Sequence, residues 1–305
     1  GIVLASPQPM WIGWGPDLVQ LYNDAYVPFS ERSPASLGRP ARETWADIWH
    51  LIGPDLERVR DGGPPVHDVD RLIPYRRAGL VEDVYFSFSY SAIPDTAAPH
   101  GVGGVLTVAV ETTARVHAVR ALQASEARQA YLLRLADALR PLGDPAAVQA
   151  TACRVLGEQL AADRVNYAEV HGEEYVVATE YRVPGLASMA GRYAIASFRP
   201  AEREAFEAGR TVAVADILAE PGLTADEATA YGALGVRAFV SVPLVKAGRL
   251  VAVLSVIRSR PGAWTPDEGA LIEETAGRTW AAVERKRAEE ALREREARQA
   301  FLLAL

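Results

Sequence analysis

Residues 236–256 read Val-Arg-Ala-Phe-Val-Ser-Val-Pro-Leu-Val-Lys-Ala-Gly-Arg-Leu-Val-Ala-Val-Leu-Ser-Val, and the fold of the second half of the chain hangs on this block. Two apolar runs rich in β-branched residues flank Lys246-Ala247-Gly248-Arg249, a short polar loop whose glycine accepts positive φ. The block predicts a buried antiparallel hairpin. Thr211-Val-Ala-Val-Ala-Asp216-Ile stands before it, Ala233-Leu-Gly-Val-Arg237 leads into it, and Trp264-Thr265-Pro266-Asp267-Glu268 opens a long helix after it.

Together these strings resemble the GAF domain, a small-molecule-sensing module of signalling proteins, over roughly residues 140–285. The resemblance implies an antiparallel sheet with flanking helices over residues 141–283 and a ligand pocket on that sheet. It puts Tyr167 and Glu169 on the first strand, Tyr175 and Tyr181 on the second, and Tyr193 and Phe198 on the third. Asp216, Tyr231, Arg237, Phe239 and Ser241 then fall near the cavity mouth. Arg237 and Asp216 either pair with each other, shaping a loop, or fix a charged ligand.

With 305 residues, 49% of them hydrophobic, the chain can support two cores. Its formal charge of −7 lacks the basic excess of a nucleic-acid binder, so no nucleic-acid partner is expected. The single cysteine, Cys153, excludes an internal disulfide framework, a multi-thiolate metal site and cysteine-pair redox catalysis. No apolar run approaches the roughly 20 residues that span a bilayer, so a cytoplasmic location without membrane insertion is expected. The chain starts on Gly1-Ile-Val-Leu and stops on Phe301-Leu-Leu-Ala-Leu305 without a capping signal, which reads as a piece of a longer protein.

Residues 1–113 carry a different signature. Pro9–Gly15 leads into Leu18–Tyr26, read as two short apolar strands joined at Gly15-Pro16-Asp17, a strong turn signal. A helix-compatible stretch follows, with Leu37-Gly38-Arg39-Pro40, Trp45, Trp49 and the segment Ile52–Arg60. Val84–Ile93 and Val102–Val110 read as late strands. Alternation puts Val84, Phe86, Phe88 and Tyr90 on one face and Tyr85, Ser87, Ser89 and Ser91 on the other. This order, with the Tyr22-Asn-Asp-Ala-Tyr26 and Gly38-Arg39-Pro40 steps, resembles a PAS domain of the kind preceding bacterial sensor kinases. Glu111-Thr112-Thr113 stands where that family couples its last strand to the outgoing helix, with Glu for Asp and Thr for Ile, and these groups suit helix capping. Tyr22, Trp45, Trp49, Phe86, Phe88 and Tyr90 either line a cavity for a flat ligand or simply fill the core.

Residues 114–140 and 265–305 are dominated by strong helix formers and predict long helices, a connector and an outgoing helix, the latter leaving the second domain at 284–305. Residues 121–135, ALQASEARQAYLLRL, and 291–305, ALREREARQAFLLAL, match at ten of fifteen positions, as equivalent connectors in a modular array would. Val119, Leu122, Ala130 and Leu133 on the first helix and Ala288, Ala291, Leu302 and Leu305 on the second form thin stripes, which predict a parallel homodimer with weakly specified registers.

Catalytic chemistry finds no foothold. Among the five histidines only His67 precedes an acidic residue, and it lies outside any expected helix; Gly101-Val-Gly-Gly104 lacks a following Lys-Ser/Thr and reads as a turn. Haem ligation would fall to His50 between Trp49 and Leu51, where a packing role is the simpler account. The PAS–GAF order also raises the covalent bilin of phytochromes, yet Cys153 lies on the expected first GAF helix and Asp216-Ile217 is followed by Leu218 where those proteins have proline. Flavin adduct chemistry needs a cysteine in 1–113, cyclic-nucleotide binding needs an Asn-Lys-x-Asp-Glu motif, and sulfoxide reduction needs several cysteines; none is present. The reading is an α+β chain of two sensory domains, each an antiparallel sheet with flanking helices. It is the sensory region of a bacterial signalling protein feeding a histidine kinase, with no covalent cofactor expected, haem and bilin disfavoured, and the ligand left open. Its rivals are a ligand-free dimerisation and spacer module, or a sensor feeding a cyclase or phosphatase.

Overall fold

The computed structural model describes residues 2–29, 35–77 and 80–303; Leu305, the last residue of the outgoing stripe, lies outside them. The chain divides into two compact units at Ser125/Glu126, each with its own antiparallel sheet.

In the first unit, α1 (Ile2–Ala5), β1 (Met10–Trp14) and β2 (Val19–Tyr22) are followed by α2 (Ala41–Thr44) and α3 (Trp49–Arg60). Three long strands come next: β3 (Val66–Arg77), β4 (Leu80–Pro94) and β5 (Val102–Glu111). The sheet order is β2-β1-β5-β4-β3. Val84, Phe86, Phe88 and Tyr90 are buried on β4 and their intervening neighbours are not, as period two requires. The core is keyed by one buried amide. Gln20 accepts from the indole N–H groups of Trp11 (3.0 Å) and Trp45 (2.9 Å) and donates to the Thr44 hydroxyl (2.6 Å), so two tryptophans are buried with their donors satisfied.

Sequence reading missed β3 altogether. It is charged, contains Pro74 and carries a bulge at Asp70 (φ 55°), all tolerated because it is the edge of the sheet. The bulge aims Asp70 at the root of α4 (Thr113–Leu139), where it accepts from the Thr112 hydroxyl (2.7 Å) and pairs with Arg115. The Thr113 hydroxyl accepts from the Tyr85 amide (3.0 Å). Both threonine hydroxyls are thus turned to the sheet instead of capping the first helical turn.

The second unit begins with the last part of α4 and continues through α5 (Pro145–Leu160), β6 (Arg164–His171), β7 (Glu174–Arg182), β8 (Gly191–Ala194) and α6 (Pro200–Glu207). It ends with β9 (Val212–Val214), α7 (Ala225–Ala233), β10 (Ala238–Lys246), β11 (Arg249–Arg258) and α8 (Pro266–Leu303). Strand order is β8-β7-β6-β11-β10-β9. The hairpin forms as expected: Lys246 faces Arg249 across Ala247 (φ 49°) and Gly248 (φ 73°), both left-handed, the pattern that matches the twist of the flanking strands.

The sheet has two different faces. Val165 and Tyr167, Val240 and Val242, and Leu254 and Val256 pack with Tyr131 and Leu135 of α4, Leu156 of α5 and Ile272 and Val283 of α8 into one core. Asn166, Ala168, Phe239, Ser241, Val253 and Ser255 face the other way. Asp144 caps α5 through the amides of Ala146 and Ala147, and Thr265 and Glu268 bond reciprocally at the start of α8. Glu268 also pairs with Arg258, whose guanidinium lies 3.9 Å from the Trp264 ring centroid, so the root of α8 is fastened to the end of β11. Val119, Leu122, Ala130, Leu133, Ala288, Ala291 and Leu302 are all exposed on the single chain.

Two predictions follow from these geometries. A β-branched residue cannot relieve the left-handed backbone at position 248, whereas asparagine tolerates it at 247 better than alanine; Gly248→Val should lower urea stability by about 1–2 kcal/mol and Ala247→Asn should raise it slightly. The hydroxyl of Thr112, and next Arg115, hold the Asp70 carboxyl below the ordinary carboxylate range. A depressed folded-state pKa stabilises the fold above the unfolded value, and that stabilisation disappears as pH falls through the folded one. Thr112→Val should raise the Asp70 pKa in an NMR titration and leave less acid-labile stability to lose.

Candidate functional site

Among the described residues, the aromatic side chains nominated from the sequence line two cavities, and size separates them. In the first unit Trp45, Phe86, Phe88 and Tyr90 join Trp11, Tyr26 and Tyr75 around about 70 Å³, room for a few waters. Tyr22 and Trp49 lie outside that lining; Tyr22 packs on Tyr26, and the Trp49 ring covers Gly53 beneath the Arg42 guanidinium. His50 is exposed on α3.

The second unit encloses about 320 Å³, at the lower end of the range for small-molecule pockets. Its floor is the sheet face carrying Asn166, Ala168, Phe239 and the hydrogen-bonded pair Ser241–Ser255 (2.8 Å). Its wall is aromatic: Tyr175 stacks on Tyr193 (5.1 Å between centroids) and on Phe198 (4.5 Å), and Phe206 meets Phe198 edge-on. Tyr193 is fixed by donating its hydroxyl to the Met189 carbonyl at 2.9 Å. Tyr231 closes the far side, its pKa pushed up to about 12, chiefly by burial and next by Glu202.

Glu202 is the chemically distinctive member. It is 6% exposed, lines the cavity from α6, and its Oε1 has no hydrogen-bond partner among the described residues. Burial raises its pKa, with Arg199 opposing. The other lining carboxylate, Glu227, is occupied by the backbone and hydroxyl of Thr224 in the capping box of α7.

Of the residues the sequence nominated, the structure brings Tyr193, Phe239 and Ser241 to the cavity, with Tyr175, Phe198 and Tyr231 beside them. Tyr167 is fully buried on the helix-packed face, and Glu169, next on that face, accepts from Gln149 of α5 and Arg287 of α8. Tyr181 lies over Gly157 of α5. Asp216 and Arg237 form a two-pronged pair (2.8 and 3.0 Å) outside the cavity, and Asp216 also accepts from the Leu218 amide. Cys153 is buried within the helix-side core, and burial pushes its thiol up to about 12.

Sequence reasoning missed Glu202, Ser255 and Asn166. The signal for Glu202 was present: with Ala205 and Phe206 it shares one helical face, so an acid stands on an apolar stripe. Ser241 and Ser255 are polar positions facing each other in otherwise apolar strands.

The far edge of the cavity is held by Arg164, fully buried at the start of β6. It donates to the carbonyls of Ala187 (2.7 Å) and Leu234 (3.2 Å) and stands 3.5 Å from Glu180, which in turn accepts from Ser188 and the Met189 amide. Met189 and Leu234 both line the cavity. No group of three or more His, Cys, Asp or Glu side chains suited to a metal occurs among the described residues.

Residues 144–283 match the family model of the GAF domain. Residues 144–283 of the second unit are therefore a GAF domain, a sensory module used generally in signalling. Among solved structures the chain is similar to the cyanobacteriochrome receptor PixJ, at 27% identity and TM-score 0.41, covering 46% of this chain and 95% of that one. It is also similar to the free methionine-R-sulfoxide reductase of Neisseria meningitidis in complex with its substrate (22%, TM-score 0.44, 55% and 93%). A third is the phycoerythrobilin-bound GAF domain of a cyanobacterial phytochrome (18%, TM-score 0.46, 53% and 97%). No curated protein matches the chain.

Removing one partner of a buried ion pair leaves the other charge uncompensated, at a cost of about 3–5 kcal/mol. Arg164→Ala should destabilise the GAF unit by that order in chemical denaturation, and proteolysis should then cut first within 183–190.

Proposed function

We propose that this chain is a sensory and transmitting segment of a signalling protein, in which the GAF cavity takes a small molecule and the long helices carry the response to an output domain. The observation that carries the reading is the arrangement of one sheet between a ligand-sized cavity and the helix layer. Neighbouring residues of β6 alternate between the two: Ala168 faces the cavity, and Glu169 is bonded to α5 and α8. A ligand that favours one position of this sheet over another biases α8 directly.

The first unit is read as a PAS-like domain, supported by its two strands, intervening helices and three later strands in a single antiparallel sheet. Its tight aromatic core favours a packing role over a ligand-binding one. The exposed apolar residues Val119, Leu122 and Leu133 of α4 and Leu302 of α8 support pairing with a second copy. A histidine kinase is the proposed output; a cyclase or phosphatase would be driven by the same helix. No helix among the described residues is long and apolar enough to cross a membrane.

A covalent bilin, disfavoured from the sequence, does not suit the described residues of the cavity either. Cys153 is enclosed on the helix side of the sheet, and no Lys, Arg or His lines the cavity to meet propionates.

The reading is tested by filling the cavity. Ala168→Trp, in the chain fused to its output domain, should abolish the thermal shift given by compounds that stabilise the parent and should freeze the output in one state. An output that still responds to those compounds would refute it. Light scattering should give twice the monomer mass, reverting to the monomer in Leu122→Glu/Leu133→Glu.

A further inference from the structure

We propose that the GAF cavity takes a small organic cation: a flat one- or two-ring body that lies against the Tyr193–Tyr175–Phe198 stack and bears a protonated nitrogen that meets Glu202. This inference rests on the cavity being the sensory site.

Charge sign is the first argument. The charged residues of the lining are Glu202 and Glu227, and no lysine, arginine or histidine is among them, so an anionic ligand would be drawn out of water with nothing to receive it. The second is an unanswered acceptor. Glu202 is more than nine-tenths buried in the cavity wall with Oε1 unpartnered, whereas the Glu227 carboxylate is already held by Thr224. A buried polar atom left in this state is stabilised by whatever donor fills the cavity. The third is the wall itself. Three stacked ring systems offer a π surface, which attracts cations and accepts a flat body. The Ser241–Ser255 pair and Asn166 on the floor leave room for a further polar substituent.

The pH dependence has a definite sign. The groups acting on Glu202 are Arg199, whose guanidinium is engaged by the Pro221 carbonyl, the acids Glu220 and Glu227, and the hydroxyls of Tyr175 and Tyr231. Burial favours the protonated carboxyl in the empty cavity, and a bound cation favours the carboxylate. Cation affinity should therefore rise with pH through the Glu202 range and level off above it, one proton being released per ligand bound below that range.

The experiment is calorimetry and thermal shift on the whole chain with matched probes: benzamidine, phenethylamine and tryptamine as cations, benzamide and 2-phenylethanol as neutral shapes, benzoate and phenylacetate as anions. The expected result is binding by at least one cation, at least tenfold tighter than its neutral and anionic counterparts. Glu202→Gln, which keeps the shape and removes a buried acid, should melt no lower than the parent, lose that selectivity and lose the pH slope. Tyr175→Leu should weaken the cation severalfold. Binding confined to neutral or anionic probes, or cation affinity unchanged in Glu202→Gln, overturns the cation assignment and leaves the sensory reading standing. Failure of every probe to bind overturns both.

Discussion

Each residue of a strand faces one side of its sheet or the other, and in the GAF unit those sides have opposite jobs. Along β6, β10 and β11 one parity builds the core against α4, α5 and α8, and the other builds the cavity floor. A shift of register by one residue would put Tyr167 and Val240 into the cavity and Ser241 into the helix core. Such a slip would abolish site and core together. The left-handed Ala247-Gly248 turn sets the register of β10 against β11, and Arg164 at the head of β6 ties that strand to the rim. Cavity geometry is thus a by-product of the same pairing that stabilises the fold.

This parity explains what was legible in the sequence. The hairpin, the aromatic face of β4 and the helix starting at Thr265-Pro266 announce themselves in local patterns of period two or in helix-start chemistry, and the GAF class in the family resemblance of the strings around them. The site does not. Tyr167 and Glu169 are on the correct strand and the opposite face from the cavity, because parity along β6 can be counted only from a reference residue that the sequence does not mark; on β7 the bulge that inserts Ala178 flips the parity and puts Tyr181 over α5 while Tyr175 lines the cavity. Glu202 comes from a helix far along the chain and becomes a site residue only when α6 is laid over the sheet. β3 escaped for a different reason: edge strands are relieved of the apolar, proline-free composition by which strands are recognised.

The GAF unit buries two carboxylates in contrasting ways. Glu180 is surrounded by Arg164, Arg182, Ser188 and the Met189 amide, so its charge is consumed in holding the loop that bears Met189. Glu202, a few residues into α6, has an oxygen with no such company. Glu180 accepts from three donors and stands 3.5 Å from a buried guanidinium, whereas the bare oxygen of Glu202 belongs to a side chain that lines the cavity, where a ligand can supply the donor. Burial raises the Glu202 pKa against the opposing pull of Arg199, and that shift toward the neutral form lessens the desolvation the side chain bears.

Under the proposed function, transmission is constrained by where α8 is held. Its first part is fastened at Thr265–Glu268, at Arg258, at the Thr275–Tyr131 contact (2.9 Å) and at Arg287 to Glu169; beyond that point residues 291–302 are exposed and the helix is supported by pairs of its own such as Arg293–Glu289. Pairs of that kind add only tenths of a kcal/mol each, and an unpacked helix of this length is marginal in water. The free half therefore draws its order from the anchored half and, under the proposed pairing, from a second copy. Arg287 is the last clamp before the free part, and it grips the residue adjacent to Ala168 on the cavity floor. Any movement of β6 that re-aims Glu169 shifts the point from which residues 288–303 of the helix project, and a lever of roughly 1.5 Å per residue turns a small rotation there into several ångströms at its end.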